Sequence, residues 1–247
     1  MMMPTETAPT LSLVVPLYNE EACVRSVLEE AIAVLDSLPH SYEVIAVDDG
    51  SDDATGSILG ELAAQHPALR VFRLTPNSGQ SAAFGAGFKR ARGSYVMLID
   101  GDGQNDPHDI PLILTALESC DVCCGYRALR RDTWSKRLGS RMANAIRRSV
   151  LDDTVRDTGC SLKGFRREFV QDLPMTLKGM HRFLPALVRM RGARLTQIPV
   201  NHRPRSAGES KYTNWGRLKE TIADLRAVRW MQRRHRCFEV QAMPPAQ

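Results

Sequence analysis

The segment Asp100-Gly101-Asp102-Gly103-Gln104-Asn105-Asp106-Pro107 sets two carboxylates two residues apart among glycines. Carboxylates brought together repel unless a cation neutralises them. The glycines leave the backbone free to turn both side chains toward one point. Carboxylate and phosphate oxygens together suit Mg2+ or Mn2+, not zinc. Three further clusters carry related chemistry: Pro16-Leu17-Tyr18-Asn19-Glu20, Asp48-Asp49-Gly50-Ser51-Asp52-Asp53 and Asn77-Ser78-Gly79-Gln80. Asp, Asn and Gly also cap helices and make turns, which accounts for Asp52 or Asp53 just before a helical stretch. Turn-making does not account for Asp100 and Asp102, so that pair reads as a metal site.

Each cluster follows an apolar run that reads as a strand. Leu11–Leu17, Tyr42–Val47, Leu69–Leu74 and Tyr95–Ile99 are the four strands, and helices are expected over Glu20–Leu35, through Leu59 and Leu62, and over Gln80–Arg90. Near-continuous apolar strands alternating with helices predict an α/β fold, a mainly parallel Rossmann-like sheet covered on both faces. Ligands of such sheets bind at the carboxyl ends of the strands, where all four clusters fall. Farther on, Trp134–Val150 reads as a basic helix and Cys160–Phe165 as a short strand. His181–Met190 reads as a helix, Arg194–Val200 as a strand, and a polar loop precedes a last helix over Asn214–Arg234.

The chain has 247 residues, 43% apolar and 25% charged, with 17 Gly and 14 Pro. That suffices for one large domain and excludes a disordered or collagen-like chain. We expect a disordered start over residues 1–10, a catalytic domain over 11–212, an amphipathic helix over 213–236 and a tail over 237–247. No run reaches the roughly 18 consecutive apolar residues of a spanning helix. The opening MMMPTETAPT lacks the basic and apolar regions of a signal peptide, so a cytoplasmic location is expected. Six cysteines are too sparse for a disulfide scaffold, and Cys120, Cys123 and Cys124 read as buried structural residues. Net charge is +5, yet Arg203–Arg236 holds ten Lys/Arg against three Asp/Glu, leaving −2 for the rest. Basicity this local calls for an anionic partner.

The pattern resembles family 2 glycosyltransferases of the GT-A fold. DGDGQNDP looks like their Asp-X-Asp metal motif, and PLYNE and VDDGSDD are shared across that family. NSGQSAAFGAG, DGDGQNDP and RSAGESKY are most similar to the polyprenyl-phosphate sugar transferases, of which dolichyl-phosphate mannosyltransferase is the eukaryotic type. The resemblance runs from Leu11 to about Arg233. It implies inverting transfer of a sugar from a nucleotide-sugar donor, GDP-mannose or a UDP-sugar, to polyprenyl phosphate on the inner face of the cell membrane. Pro16, Tyr18, Glu20, Asp48, Asp49 and Gln80 would line the donor pocket. Asp100, Asp102 and Gln104 would hold Mg2+ or Mn2+. Arg127, Arg137 and Ser140 would bind the acceptor phosphate, with Arg205 and Lys211 near the diphosphate or acceptor. Asp157 precedes Cys160-Ser161-Leu162-Lys163-Gly164-Phe165, where this branch has Asp before Ser-Gly-Phe. It lies either with Asp100, Asp102 and Arg127 in the reacting centre or in a turn.

Two other functional classes compete. A family 2 transferase with a saccharide hydroxyl acceptor needs a base carboxylate, commonly in an acidic pair after the metal loop, and no clear pair is found. A non-catalytic nucleotide-sugar or nucleic-acid binding module is the other. Nucleic acid is disfavoured because aromatics do not interleave with basic residues on a sheet face. Arg147 and Arg148 read as a solvated helix face, and His181 as a surface histidine. The last helix either docks on the core or lies on an anionic membrane, with Trp215, Leu218, Ile222, Leu225, Val228 and Met231 at helical spacing. A separate membrane subunit is a possible partner.

Overall fold

The computed structural model describes residues 8–128, 145–204 and 214–236, with side chains in the last stretch from Thr221 onward. Seven strands form one sheet: β1 (Leu11–Leu17), β2 (Tyr42–Asp48), β3 (Leu69–Arg73), β4 (Tyr95–Leu98), β5 (Val122–Arg127), β6 (Lys163–Arg166) and β7 (Leu195–Val200). Their order is β3-β2-β1-β4-β6-β5-β7. Four pairings are parallel, and β6 runs antiparallel to both β4 and β5. The helices are α1 (Val24–Asp36), α2 (Thr55–Gln65), α3 (Gln80–Arg90), α4 (Ile110–Ser119), α5 (Leu184–Met190) and α6 (Asn214–Arg234), with a further helical run over residues 145–151.

Every residue of β1 is buried because helices cover both sheet faces. Leu11, Leu13, Val15 and Leu17 face one apolar cluster with Val24, Leu28 and Ile32 of α1 and Ile113 and Leu117 of α4. Val14 faces the other, with Phe84 and Phe88 of α3, Leu187 of α5 and Val228 of α6. Each such side chain stabilises the fold by about 1.5–3 kcal/mol through burial. Pro16 fits a central strand because it shares a strand edge with Val14, whose carbonyl receives Ile99 N–H, and the β4 pairing stops at Val14. No ladder bond is lost there.

The four expected strands and the alternation are present. Helix α1 starts at Val24 rather than Glu20, because Asn19 adopts a left-handed φ of 53° and residues 19–21 bond to Ser51 and Asp53 of the loop after β2 and to Thr55 at the start of α2. The strand expected over Cys160–Phe165 pairs only as Lys163–Arg166, since the preceding turn faces the site. The helix expected over His181–Met190 begins as a 3-10 turn, Met180–Phe183, before α5. Helix α4 and strand β5 were not expected. The Cys123 and Cys124 that mark β5 are buried in it, with thiols pushed by burial up to about 12.

Arg147 corrects the solvated-face expectation. It is buried, its Nη1 donating to Asp153 Oδ2 at 3.2 Å and Nη2 to the Val155 carbonyl at 2.5 Å. The chain beyond the helical run folds back over it. In α6, Leu225 and Val228 are buried and Met231 packs on the core, while Ile222 and Trp230 are exposed. Trp215 and Leu218 have side chains outside the described set.

Candidate active site

The loops after β1, β2, β3 and β4 are tied to one another in a closed ring. Asn19 Oδ1 receives the Asp52 amide at 2.8 Å, and Glu20 donates its amide to Thr55 Oγ1, joining the first loop to the second. Asp49 joins the second to the third: its carboxylate receives the amides of Ser78 and Gly79, both at 2.8 Å. Gln80 Nε2 donates to Asp100 Oδ1 at 2.9 Å, joining third to fourth. Cys23 Sγ closes the ring, lying 3.2 Å from both Glu20 Oε2 and the Gly101 carbonyl. The convergence expected from strand ends is thus a bonded network.

The Asp100–Asp106 loop is braced internally. Asn105 Oδ1 receives the Asp100 amide at 2.9 Å, and Asp102 Oδ1 receives the Gln104 amide at 3.1 Å. Gly103 has φ 74°, which favours glycine, and a Cβ on Gly101 would lie 2.3 Å from Leu17 Cδ2, so a side chain there would force the buried Leu17 to shift. Ser161 Oγ donates to Asp100 Oδ2. Desolvation pushes the Asp100 carboxyl up to about 6; the Ser161 hydrogen bond and Lys163 oppose this, while Asp102 and Glu20 reinforce it. Asp100 and Asp102 offer only oxygen donors, Gln104 can add an amide oxygen, and Asp102 and Glu20 both act electrostatically on Asp100; that donor set suits a hard divalent cation. Gln104 Nε2 also lies 3.4 Å from His202 Nε2.

Asp48 is buried, its Oδ1 receiving the Ser51 amide at 2.9 Å and its Oδ2 standing 3.4 Å from Arg73 Nη1 without hydrogen-bond geometry. Asp53 precedes the N-cap residue Ala54, and its Oδ1 receives the Thr55 amide at 2.9 Å, a turn-type bond at the start of α2. Asp157 receives Arg127 Nε at 2.6 Å and Nη2 at 2.8 Å, and also the Gly159 amide, so it serves both a pair and a turn. His181 is no isolated surface histidine: Ser81 Oγ sits 2.8 Å from its Nδ1, and its ring leans on Phe84. Arg137, Ser140, Arg205 and Lys211 lie outside the described residues. Tyr18 and Glu20 stand on the first loop of the ring, and Pro16 is next to last in β1, just before it.

A second acidic group, Glu30, Asp106 and His108, brings its ligand atoms within 4.8 Å of one another. Arg203 already fills it, with Nη1 2.7 Å from Glu30 Oε2 and Nη2 2.7 Å from Asp106 Oδ1. That cluster reads as a brace. Sequence reasoning missed Cys23, Ser161 and Lys163. Only Lys163, a charge inside a strand of apolar neighbours, left a signal.

The model of glycosyl transferase family 2 matches residues 12–173. The chain is 38% identical over 229 residues to dodecaprenyl-phosphate galacturonate synthase of Rhizobium johnstonii, covering 90% of this chain and 67% of that protein. It is 37% identical over 210 residues to undecaprenyl-phosphate 4-deoxy-4-formamido-L-arabinose transferase of Edwardsiella ictaluri, covering 84% and 64%. The chain therefore spans about two thirds of the length of these relatives. Among solved structures, Mycobacterium tuberculosis glucosyl-3-phosphoglycerate synthase in complex with Mn2+, UDP and glucosyl-3-phosphoglycerate superposes with a TM-score of 0.64 at 22% identity, covering 91% of this chain and 80% of that one. Staphylococcus aureus TarS 1-349 with UDP-GlcNAc gives 0.62 at 20% identity, covering 90% and 66%. These neighbours share the GT-A fold. With the sheet order, the ring of strand-end loops and the family match in agreement, the chain belongs to glycosyl transferase family 2 and is a glycosyltransferase.

Proposed function

We propose that this chain transfers a sugar, with inversion, from a nucleotide-sugar donor to polyprenyl phosphate at the cytoplasmic face of the membrane, using Mg2+ or Mn2+. The bonded ring of strand-end loops around Asp100 and Asp102 carries the reading. The acceptor is supported by relatives 37–38% identical whose names specify polyprenyl phosphates. The donor is GDP-mannose or a UDP-sugar.

Pro16, Tyr18, Glu20 and Asp48 line the nucleotide side, and a buried carboxylate such as Asp48 is a pure acceptor suited to an N–H of the base. Asp49 acts through the loop it braces. Asp100, Asp102 and Gln104 would hold the ion. When bound, the ion neutralises charge growing on the departing diphosphate. Arg127, held fork to fork by Asp157, together with Arg137 and Ser140 binds the acceptor phosphate; Arg205 and Lys211 serve the diphosphate or the acceptor. A phosphate monoester has its second pKa near ~6, so the nucleophile is anionic at neutral pH and needs alignment rather than a base. Direct attack on the anomeric carbon inverts it.

Incubating the purified protein with several nucleotide sugars and a short polyprenyl phosphate, with and without Mn2+, tests this. Cation-dependent formation of a polyprenyl-phosphate sugar is expected. Transfer only to a saccharide hydroxyl, or donor binding without turnover, overturns the acceptor assignment.

A further inference from the structure

We infer that Ser161 is a positioning residue for the Asp100 carboxylate and sets the affinity of the divalent-cation site. The inference rests on the metal reading above. Strands β4 and β6 pair antiparallel in the register Met97↔Gly164 and Leu98↔Lys163. Carried two residues past the last pair, that register sets Ser161 opposite Asp100. The serine hydroxyl donates to Oδ2, while Gln80 Nε2 donates to Oδ1 at 2.9 Å. Rotation of a carboxylate about its last torsion is soft, so two donors from different elements define its plane. Each carboxylate oxygen accepts more than one bond, so both keep a lone pair for an ion.

Ser161 is itself held in place. Its neighbours Cys160 and Leu162 are buried, and the half-buried hydroxyl is carried between them. Lys163, also buried, turns its ammonium back to donate to the carbonyls of Thr158 and Cys160, closing the turn just before the serine. Asp100 is therefore oriented by a residue some sixty positions downstream, through a strand that enters the sheet against the prevailing direction. Partners that orient ligating carboxylates are worth about 10-fold to 100-fold in metal affinity.

Binding of Mn2+ is measured by electron paramagnetic resonance on wild type, Ser161→Ala, Ser161→Thr and Asp102→Asn, with a nucleoside diphosphate present and no acceptor. Wild type should bind, and Asp102→Asn should lose binding. Ser161→Ala should bind about 10-fold to 100-fold more weakly at an unchanged melting temperature. Ser161→Thr, which keeps the hydroxyl, should restore most of the affinity. If the alanine variant melts early, Ser161→Cys keeps the size, weakens the donor and should shift affinity the same way. Wild-type affinity in Ser161→Ala, with binding lost in Asp102→Asn, overturns the inference and leaves the metal site standing. Absence of Mn2+ binding by the wild type overturns both.

Discussion

Arg127 and Asp157 meet fork to fork, Nε to Oδ2 at 2.6 Å and Nη2 to Oδ1 at 2.8 Å, with both side chains largely out of solvent. The pair links the end of β5 to the turn before β6. Removing one partner of a buried pair leaves a charge uncompensated and costs about 3–5 kcal/mol, whereas replacing both with apolar groups is often near neutral. Asp157→Ala should therefore lower the urea midpoint sharply, and the double variant Arg127→Met/Asp157→Leu should recover most of it. Transfer should stay low in both, because the guanidinium is misplaced in one and missing in the other. Full transfer by the double variant would remove Arg127 from the acceptor side.

Asp102→Asn keeps the size of the side chain and subtracts one charge. Asp102 Oδ1 receives the Gln104 amide, a bond that an asparagine oxygen can also accept. The fold should survive with a melting temperature within a few degrees of wild type, while activity falls by orders of magnitude. A chelator should silence the wild type likewise. Near-normal transfer by the variant would sink the metal assignment.

Glu43 gives the chain an acid-sensitive point far from chemistry. It is buried and receives Ser12 Oγ and the Arg92 amide, each at 2.7 Å, and Arg70 Nη1 at 2.5 Å. Burial alone would raise its pKa, but the Arg92 amide, the Ser12 hydroxyl and the Arg70 guanidinium outweigh burial and hold it below the ordinary 4.5. Because the folded value is depressed, its stabilisation is complete above 4.5 and is lost as pH falls through the folded value. Glu43→Gln should be less stable at pH 7 and show a flatter dependence of melting temperature on pH below about 4.5. A wild-type curve matching the variant's in that range would contradict the assignment.

The outward side of α6 exposes Ile222, Arg226, Trp230, Arg233 and Arg234, with Arg234 stacked 5.9 Å over the Trp230 ring. Leu225 and Val228 anchor the opposite side, and Gln232 Nε2 donates to the Leu151 carbonyl at 3.1 Å. No described helix is long and apolar enough to cross a membrane. An aromatic among arginines suits the headgroup region of an anionic bilayer, in reversible attachment. Cosedimentation with vesicles should rise with anionic lipid and weaken with salt. Replacing Arg226, Arg229, Arg233 and Arg234 by Gln should release the protein without changing its melting temperature. Indifference of the wild type to anionic vesicles at low salt would reassign α6 to packing alone.

The parallel half of the fold was legible because β1, β2 and β4 are buried on both faces and so read as near-continuous apolar runs. The loops that follow them were legible for the same reason, since strand ends fix where polar residues gather. The antiparallel β6 was legible as a short strand but not in its bounds or direction, because four residues, one of them Lys163, carry too little pattern to fix where a strand starts or which neighbour it pairs with. Ser161 was hidden with that pairing: its meaning comes from a register with Met97 and Leu98 that no local spacing encodes. In α6 the helical spacing was correct, but Ile222 and Trp230 show that spacing alone does not say which side docks.

Strand β6 is also the seam of the sheet, lying between the β3-β2-β1-β4 half and the β5-β7 half. Gly164 lets α4 pack close over it, for a Cβ at that position would approach Ile113 Cγ2 to 2.5 Å. During synthesis the first four strands can assemble in the order they emerge, but β5 must wait, unjoined, until β6 arrives to zip both halves together. Late, long-range pairings of this kind slow folding. Assembly of the Asp100 environment therefore waits on the strand that joins β5 to β4, ahead only of β7 at the edge, so a chain truncated before residue 161 would carry the carboxylates without the partner that aligns them.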